Sequence, residues 1–215
     1  TGGIERNSVR SFFNENPFLI PAAQLENTYT KIKLYGGVRG SLSKSVSYNT
    51  CATFASLNNE YFFVNDNSDP LHNGFNVVYD NATLLNLHGE LQYQHTEKIK
   101  LMVRGDYNSY SLKNELKPWH KPIWETALGF NYNLRSKIVA TADLVLYGTR
   151  YSYSPRSGQG FGVQVDATSI NELKPVLDAS IGLEYRYSKK LSAFLNLNNL
   201  GFRSYERWNN YPTQK

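Results

Sequence analysis

The sequence predicts an all-β chain: an antiparallel transmembrane β-barrel, with about eight of its strands visible in 215 residues. Three observations predict it. First, short basic turns alternate with long polar connections. The turns are Ser41-Leu42-Ser43-Lys44, His95-Thr96-Glu97-Lys98, Leu134-Arg135-Ser136-Lys137 and Ser188-Lys189-Lys190; the connections cover roughly residues 58–74, 111–122 and 148–175. Outer-membrane barrels keep short turns on the periplasmic side and long loops outside, whereas a soluble sandwich has no reason to sort them. Second, the segments in between alternate apolar and polar residues with period two. Third, each segment runs roughly ten residues or more. A tilted strand needs about 9–11 residues to cross a bilayer, and globular strands average about 5–6.

Each strand follows from its alternation. Residues 30–40 set Ile32, Leu34 and Val38 against Lys31, Lys33, Tyr35 and Arg39. Residues 45–57 set Val46, Tyr48, Ala52 and Phe54 against Ser45, Ser47, Asn49 and Cys51. In 75–94, Leu85, Leu87, Leu91 and Tyr93 oppose Asn86, His88, Glu90 and Gln92. In 99–110, Ile99, Leu101, Val103 and Tyr107 oppose Lys100, Arg104, Asp106 and Asn108. Residues 123–133 put Leu128, Phe130 and Tyr132 opposite Glu125, Asn131 and Asn133. Residues 138–147 put Ile138, Ala140, Ala142, Leu144 and Leu146 opposite Thr141 and Asp143. In 176–187, Leu177, Ala179, Ile181, Leu183, Tyr185 and Tyr187 oppose Asp178, Ser180, Glu184 and Arg186. In 191–200, Leu191, Ala193, Leu195 and Leu197 oppose Ser192, Asn196 and Asn198.

Composition agrees. Hydrophobic residues are 40% and aromatics 14%, and Tyr (16) outnumbers Phe (11). Tyrosine has an apolar ring and a polar tip, which suits a boundary between water and lipid. Tyr48, Tyr93, Tyr107, Tyr132, Tyr147, Tyr185 and Tyr187 stand where an interfacial girdle belongs. The single Cys51 excludes an intrachain disulfide and a four-thiolate metal site. The net charge of +5 is spread through turns and loops rather than gathered in a stripe, which is weak evidence for binding nucleic acid or an anionic membrane; no nucleic-acid partner is expected, and outer-membrane lipid is the partner that the barrel reading implies. No run reaches the ~18–20 apolar residues of a transmembrane helix. No segment carries a helix signature, and no domain boundary interrupts the chain.

The polar faces yield lumen-lining candidates: Lys33, Arg39, Glu90, Lys100, Arg104, Asp106, Glu125, Asp143, Asp178, Glu184 and Arg186. Both signs are present, which reads as a mutually neutralising wall; a selectivity ring is the sharper alternative. Glu90 and Arg104 are expected to face each other across the 95–98 turn. His72, His88, His95 and His120 lack metal-ligand spacing, so no metal or other cofactor is expected. Trp119-His120, between Pro118 and Pro122, reads as a rigid loop tip; contact with a ligand or partner is the sharper alternative. Gly158-Gln159-Gly160-Phe161-Gly162 has no following helix and reads as a surface loop rather than a phosphate cradle. No Gly-x-Ser-x-Gly or His-Glu-x-x-His pattern occurs, and no enzyme is expected.

With the basic turns in the periplasm, the first strand descends and the eighth ascends. Barrels with an even strand number have both ends in the periplasm. Residues 1–29 are therefore expected as an extracellular loop, 30–200 as strands, and 201–215 as a loop before a closing strand beyond the chain. A barrel closed by these eight strands alone is the alternative.

The tail carries a family resemblance. Leu195-Asn196-Leu197-Asn198-Asn199, Tyr205-Glu206-Arg207-Trp208 and Tyr211-Pro212 resemble the segment before the last strand in TonB-dependent-receptor-like barrels of the Bacteroidetes type. Glu15-Asn16-Pro17-Phe18, Phe62-Phe63-Val64-Asn65-Asp66 and Lys117-Pro118-Trp119-His120-Lys121-Pro122 look like the same family. The resemblance implies solute uptake across an outer membrane and adds Tyr205 and Trp208 as loop contact candidates. The 215 residues hold no plug, energy-coupling box or closing aromatic strand. The second reading is therefore a non-transporting barrel subunit docked in an envelope assembly.

Overall fold

The computed structural model describes residues 3–5 (backbone only), 8–66, 73–135, 137–154, 169–188, 191–200 and 204–212. Eight long strands match the eight alternating segments: β2 (Thr28–Ser41), β3 (Val46–Asn65), β4 (Phe75–His95), β5 (Ile99–Leu112), β6 (Trp124–Leu134), β7 (Ile138–Tyr147), β10 (Val176–Ser188) and β11 (Leu191–Leu197). A short β1 (Gly3–Glu5) pairs with the start of β2. The sheet order is β1-β2-β3-β4-β5-β6-β7-β10-β11, an antiparallel meander of neighbours. Among the described residues its two edges do not pair, so a barrel closed by these strands alone is not what forms.

Five further short elements and one strand extension among the described residues go beyond the alternation. Helix α1 (Val9–Glu15) lies inside the expected N-terminal loop. Ser8 caps it, its Oγ accepting from the Ser11 backbone N–H at 3.1 Å. Seven residues carry too little periodicity to announce a helix. Hairpins β8 (Arg150–Tyr153) with β9 (Ile170–Leu173), and β12 (Glu206–Trp208) with β13 (Tyr211–Pro212), are equally short. Strand β3 runs eight residues past its expected end at 57. Asn58-Asn59-Glu60 interrupts the alternation, and a bulge between Leu57 and Glu60 absorbs the extra residue. Asn59 takes a left-handed φ of 58°, which asparagine tolerates.

Register confirms the two faces, because residues paired across strands share a side. One row reads Gly40, Tyr48, Leu91, Val103, Leu128, Leu144, Ala179. The next reads Val46, Tyr93, Leu101, Phe130, Ala142, Ile181, Leu197. These rows hold no Asp, Glu, Lys or Arg, yet Leu91, Leu101, Ile181 and Leu197 are exposed. A large apolar face open to its surroundings requires a nonaqueous neighbour.

The packed core sits at one end, away from the short turns. The tips of β3 and β4 are its spine. On one side Phe63, Phe75 and Val77 meet Phe12, Leu19 and Trp208. On the other, Phe62 and Val64 meet Trp119, with Tyr151, Tyr153 and Ile170 against them. Asp80, at the root of this tip, is 3% exposed. Its carboxylate accepts from the backbone N–H of Asn114 and Glu115 at 2.7 and 2.8 Å, fixing the start of the 113–123 connection.

Candidate functional site

The register places every lumen candidate on the polar face. Arg39, Glu90, Arg104 and Asp178 share one row, with Glu90 directly opposite Arg104. Asp106 and Glu125 share the next row toward the long connections. Lys33, Lys100, Asp143 and Glu184 lie in other rows of that face. Arg186 donates to Glu184 at 2.8 Å.

The loop end of this face is roofed into a concave site of about 460 Å³, within the range of small-molecule sites. Its floor is Asn108 and Tyr110 of β5, Glu125 of β6, Tyr147 of β7, and Val176 and Asp178 of β10. Its roof is Glu15 of α1, the His120-Lys121-Pro122 corner, Arg150, and Tyr205, Arg207 and Trp208. Tyr205 donates its hydroxyl to Asp178 Oδ2 at 3.3 Å, tying roof to floor. Arg150 holds the roof strand by donating to the backbone carbonyls of Arg207 and Glu206 at 2.9 and 2.7 Å. Burial, and the nearby Arg207, lower the Arg150 pKa from its ordinary value.

The His120 corner is the most buried part. Its backbone is left-handed, with φ 61°. Nδ1 bonds the Phe63 carbonyl at 2.9 Å, and Nε2 accepts from the Asn209 N–H at 3.4 Å. The neutral ring with its proton on Nδ1 satisfies both partners. Burial, with Arg150 adding to it, holds the pKa down at about 4 against the pull of the Phe63 carbonyl. Next door, burial pulls the Lys121 ammonium down, but Glu60 at 2.8 Å outweighs it and the pKa is raised.

Several expectations change here. Trp119, His120 and Trp208 do not form an exposed tip: they are 0%, 8% and 7% exposed and anchor the roof, and His120 and Trp208 also line the concavity. Trp119 donates its indole N–H to Glu115 Oε2 at 2.6 Å. Local sequence could not separate a tip from an anchor, because the hydrophobic tip of β3 that buries them is more than fifty residues away. Tyr205 does line the site. Tyr147 does not join a girdle: it pairs with Glu125 and Val176 on the polar face. Tyr48, Tyr93, Tyr107, Tyr132 and Tyr185 do point to the apolar face, and Tyr187 is 68% exposed beside the Arg186–Ser188 bulge. His72, Arg156 and the 158–162 glycine segment lie outside the described residues.

The pairings of Arg150 and Lys121 had no sequence signal, since their partners come from distant segments. One row also brings Cys51 opposite His88, whose Nδ1 is 2.8 Å from Asp106. The Cys51 sulfur contacts Ala52 O and Thr53 Oγ1, along its own strand, so no nucleophile–base contact is made. Among the described residues no three His, Cys, Asp or Glu side chains converge on a metal position. The arrangement suits noncovalent recognition: aromatic walls with carboxylate and guanidinium groups in one concavity.

No family model matches the sequence, and no curated protein matches it. Solved structures do match. The copper transporter OprC aligns over 85% of this chain with a TM-score of 0.60 and 13% identity. The pyoverdine outer membrane receptor FpvA from Pseudomonas aeruginosa PAO1 aligns over 85%, with 0.60 and 14%. The ferric-catecholate import receptor Fiu from K12 E. coli aligns over 91%, with 0.59 and 15%. The chain spans 27% of each of these structures. At such identity the likeness is one of fold: an antiparallel β-barrel wall.

Proposed function

We propose that this chain forms part of an outer-membrane β-barrel that takes up a polar organic solute, recognised at the loop-end concavity before passage. One observation carries the reading. The charge-free rows lie on one face of the sheet and the charged rows on the other, and the charged side leads to the roofed site. A lipid-exposed face and a polar interior are the two demands of a transmembrane barrel. The solved neighbours support the uptake class, since their names describe a copper transporter and receptors for pyoverdine and ferric catecholates. The mixed charges of Glu125, Asp178 and Arg207 favour an organic solute with donors and acceptors over a bare ion.

The test uses the full-length protein in its native membrane, with and without energy coupling. Candidate solutes are screened by uptake, and a solute found is retested with D178N/E125Q. Loss of two charged hydrogen-bonding groups should reduce uptake about tenfold or more. Absence of any flux, together with stoichiometric co-purification of another envelope complex, would replace uptake by the scaffold reading.

A further inference from the structure

We propose that the short-turn rim is a binding surface for the phosphate groups of anionic phospholipids. The inference rests on the membrane reading and adds a chemical preference to it. Each short hairpin whose turn is described repeats one arrangement. A tyrosine on the apolar face stands a few residues from a turn that carries exposed cations.

The first hairpin has Tyr48, opposite Leu91 and Gly40, and Lys44 in its turn. The second has Tyr93, opposite Val46 and Leu101, and Lys98. The third has Tyr132, opposite Ile99 and Ala140, with Arg135 and Lys137. Two of the turns hold their shape without glycine, Thr96 and Arg135 taking φ values of 59° and 52°. Lys44, Lys98, Arg135 and Lys137 are exposed, and none is in an ion pair among the described residues. Glu97 is the one acidic residue in these turns.

The long connections differ. There Lys121 is paired with Glu60, Arg150 is buried against carbonyls, and Lys117 lies over the Tyr151 ring. Exposed cations outside any ion pair among the described residues occur in the long connections too, at Lys113 and Lys174, but those of the short turns differ in standing beside tyrosines of the apolar face. They sit just past tyrosines that mark the boundary of the apolar face. A tyrosine ring at the acyl–headgroup boundary and a cation one step further out match the layers of a phospholipid. A free anion in water would have no use for the ring. Each cation near a charged lipid surface favours association severalfold, so four of them make a preference that can be measured.

The full-length protein is reconstituted into nanodiscs of phosphatidylcholine, with and without added phosphatidylglycerol, and retained lipid is identified by native mass spectrometry. Phosphatidylglycerol should be enriched over phosphatidylcholine, and less so at high salt. The variant K44Q/K98Q/R135Q/K137Q should lower the enrichment by about tenfold or more. The control K113Q/K174Q, in the long connections, should leave it unchanged. Unchanged enrichment in the quadruple variant, equal loss in the control, or full displacement by inorganic phosphate would overturn the proposal. Insertion into both discs with no lipid preference overturns it alone. Failure to insert into either overturns the membrane reading beneath it.

Discussion

His120 shows how one side chain ties the roof to pH. Its folded pKa is about 4, against an ordinary 6.5. As pH falls through that window the unfolded chain takes up the proton first, so stability is lost between about pH 6.5 and 4. The full span corresponds to ~3 kcal/mol. Chemical denaturation of the detergent-solubilised protein at stepped pH should show this loss. The variant H120Q, which can still donate to Phe63 O, should flatten it. An identical slope in both would assign the effect to other groups. Asp80 makes a second residue-scale prediction. It accepts four hydrogen bonds, from Asn81, Glu115 and twice from Asn114. D80A leaves those donors without their acceptor and should cost roughly 3 kcal/mol. Limited proteolysis should then cut in the 113–123 connection first.

At the scale of the element, what was legible in the sequence was whatever repeats. Period-two alternation over ten residues located β2 through β7, β10 and β11, and their polar faces delivered the charged rows without any tertiary information. Pieces of two to seven residues, such as α1 and β12–β13, lack enough repeats to declare themselves. The end of β3 was hidden by a bulge, which breaks the pattern while the strand continues. The site was legible on its floor and not on its roof. Asp178 and Glu125 follow from strand parity, whereas Arg150 finds its carbonyls more than fifty residues away. The face assignment itself can be tested on adjacent positions of β4. L91R puts a charge into the apolar row and should destabilise the protein in lipid by ~2–4 kcal/mol near the midplane, less toward the rim. Q92R, one residue on, points to the polar face and should stay within about 0.5 kcal/mol. Equal effects in urea unfolding from vesicles would refute the two-faced strand.

For the whole molecule, the relevant division is between a wall and a cap. The wall exposes leucine and phenylalanine, because its neighbour is expected to be lipid. The cap buries Phe12, Phe62, Phe63, Phe75, Trp119 and Trp208 in ordinary protein fashion. The exposed apolar face predicts that the purified protein stays monodisperse in detergent and precipitates on its removal, as followed by light scattering. A monodisperse, monomeric protein in plain buffer would contradict the proposed placement in a bilayer.

The cap also joins distant parts of the chain, and this has a kinetic consequence. Apart from β7 with β10, which enclose the β8–β9 hairpin, the long strands of the wall pair with their neighbours in sequence, a low-contact-order assembly. The cap instead brings Asn209 to Asn65 and Tyr211 to Asn73, across 144 and 138 residues. Loop-closure entropy disfavours those contacts until the wall between them has brought the two segments together. Segment 206–212 should therefore gain protection from a pulse of protease after the strands of the wall do; earlier protection would refute that order.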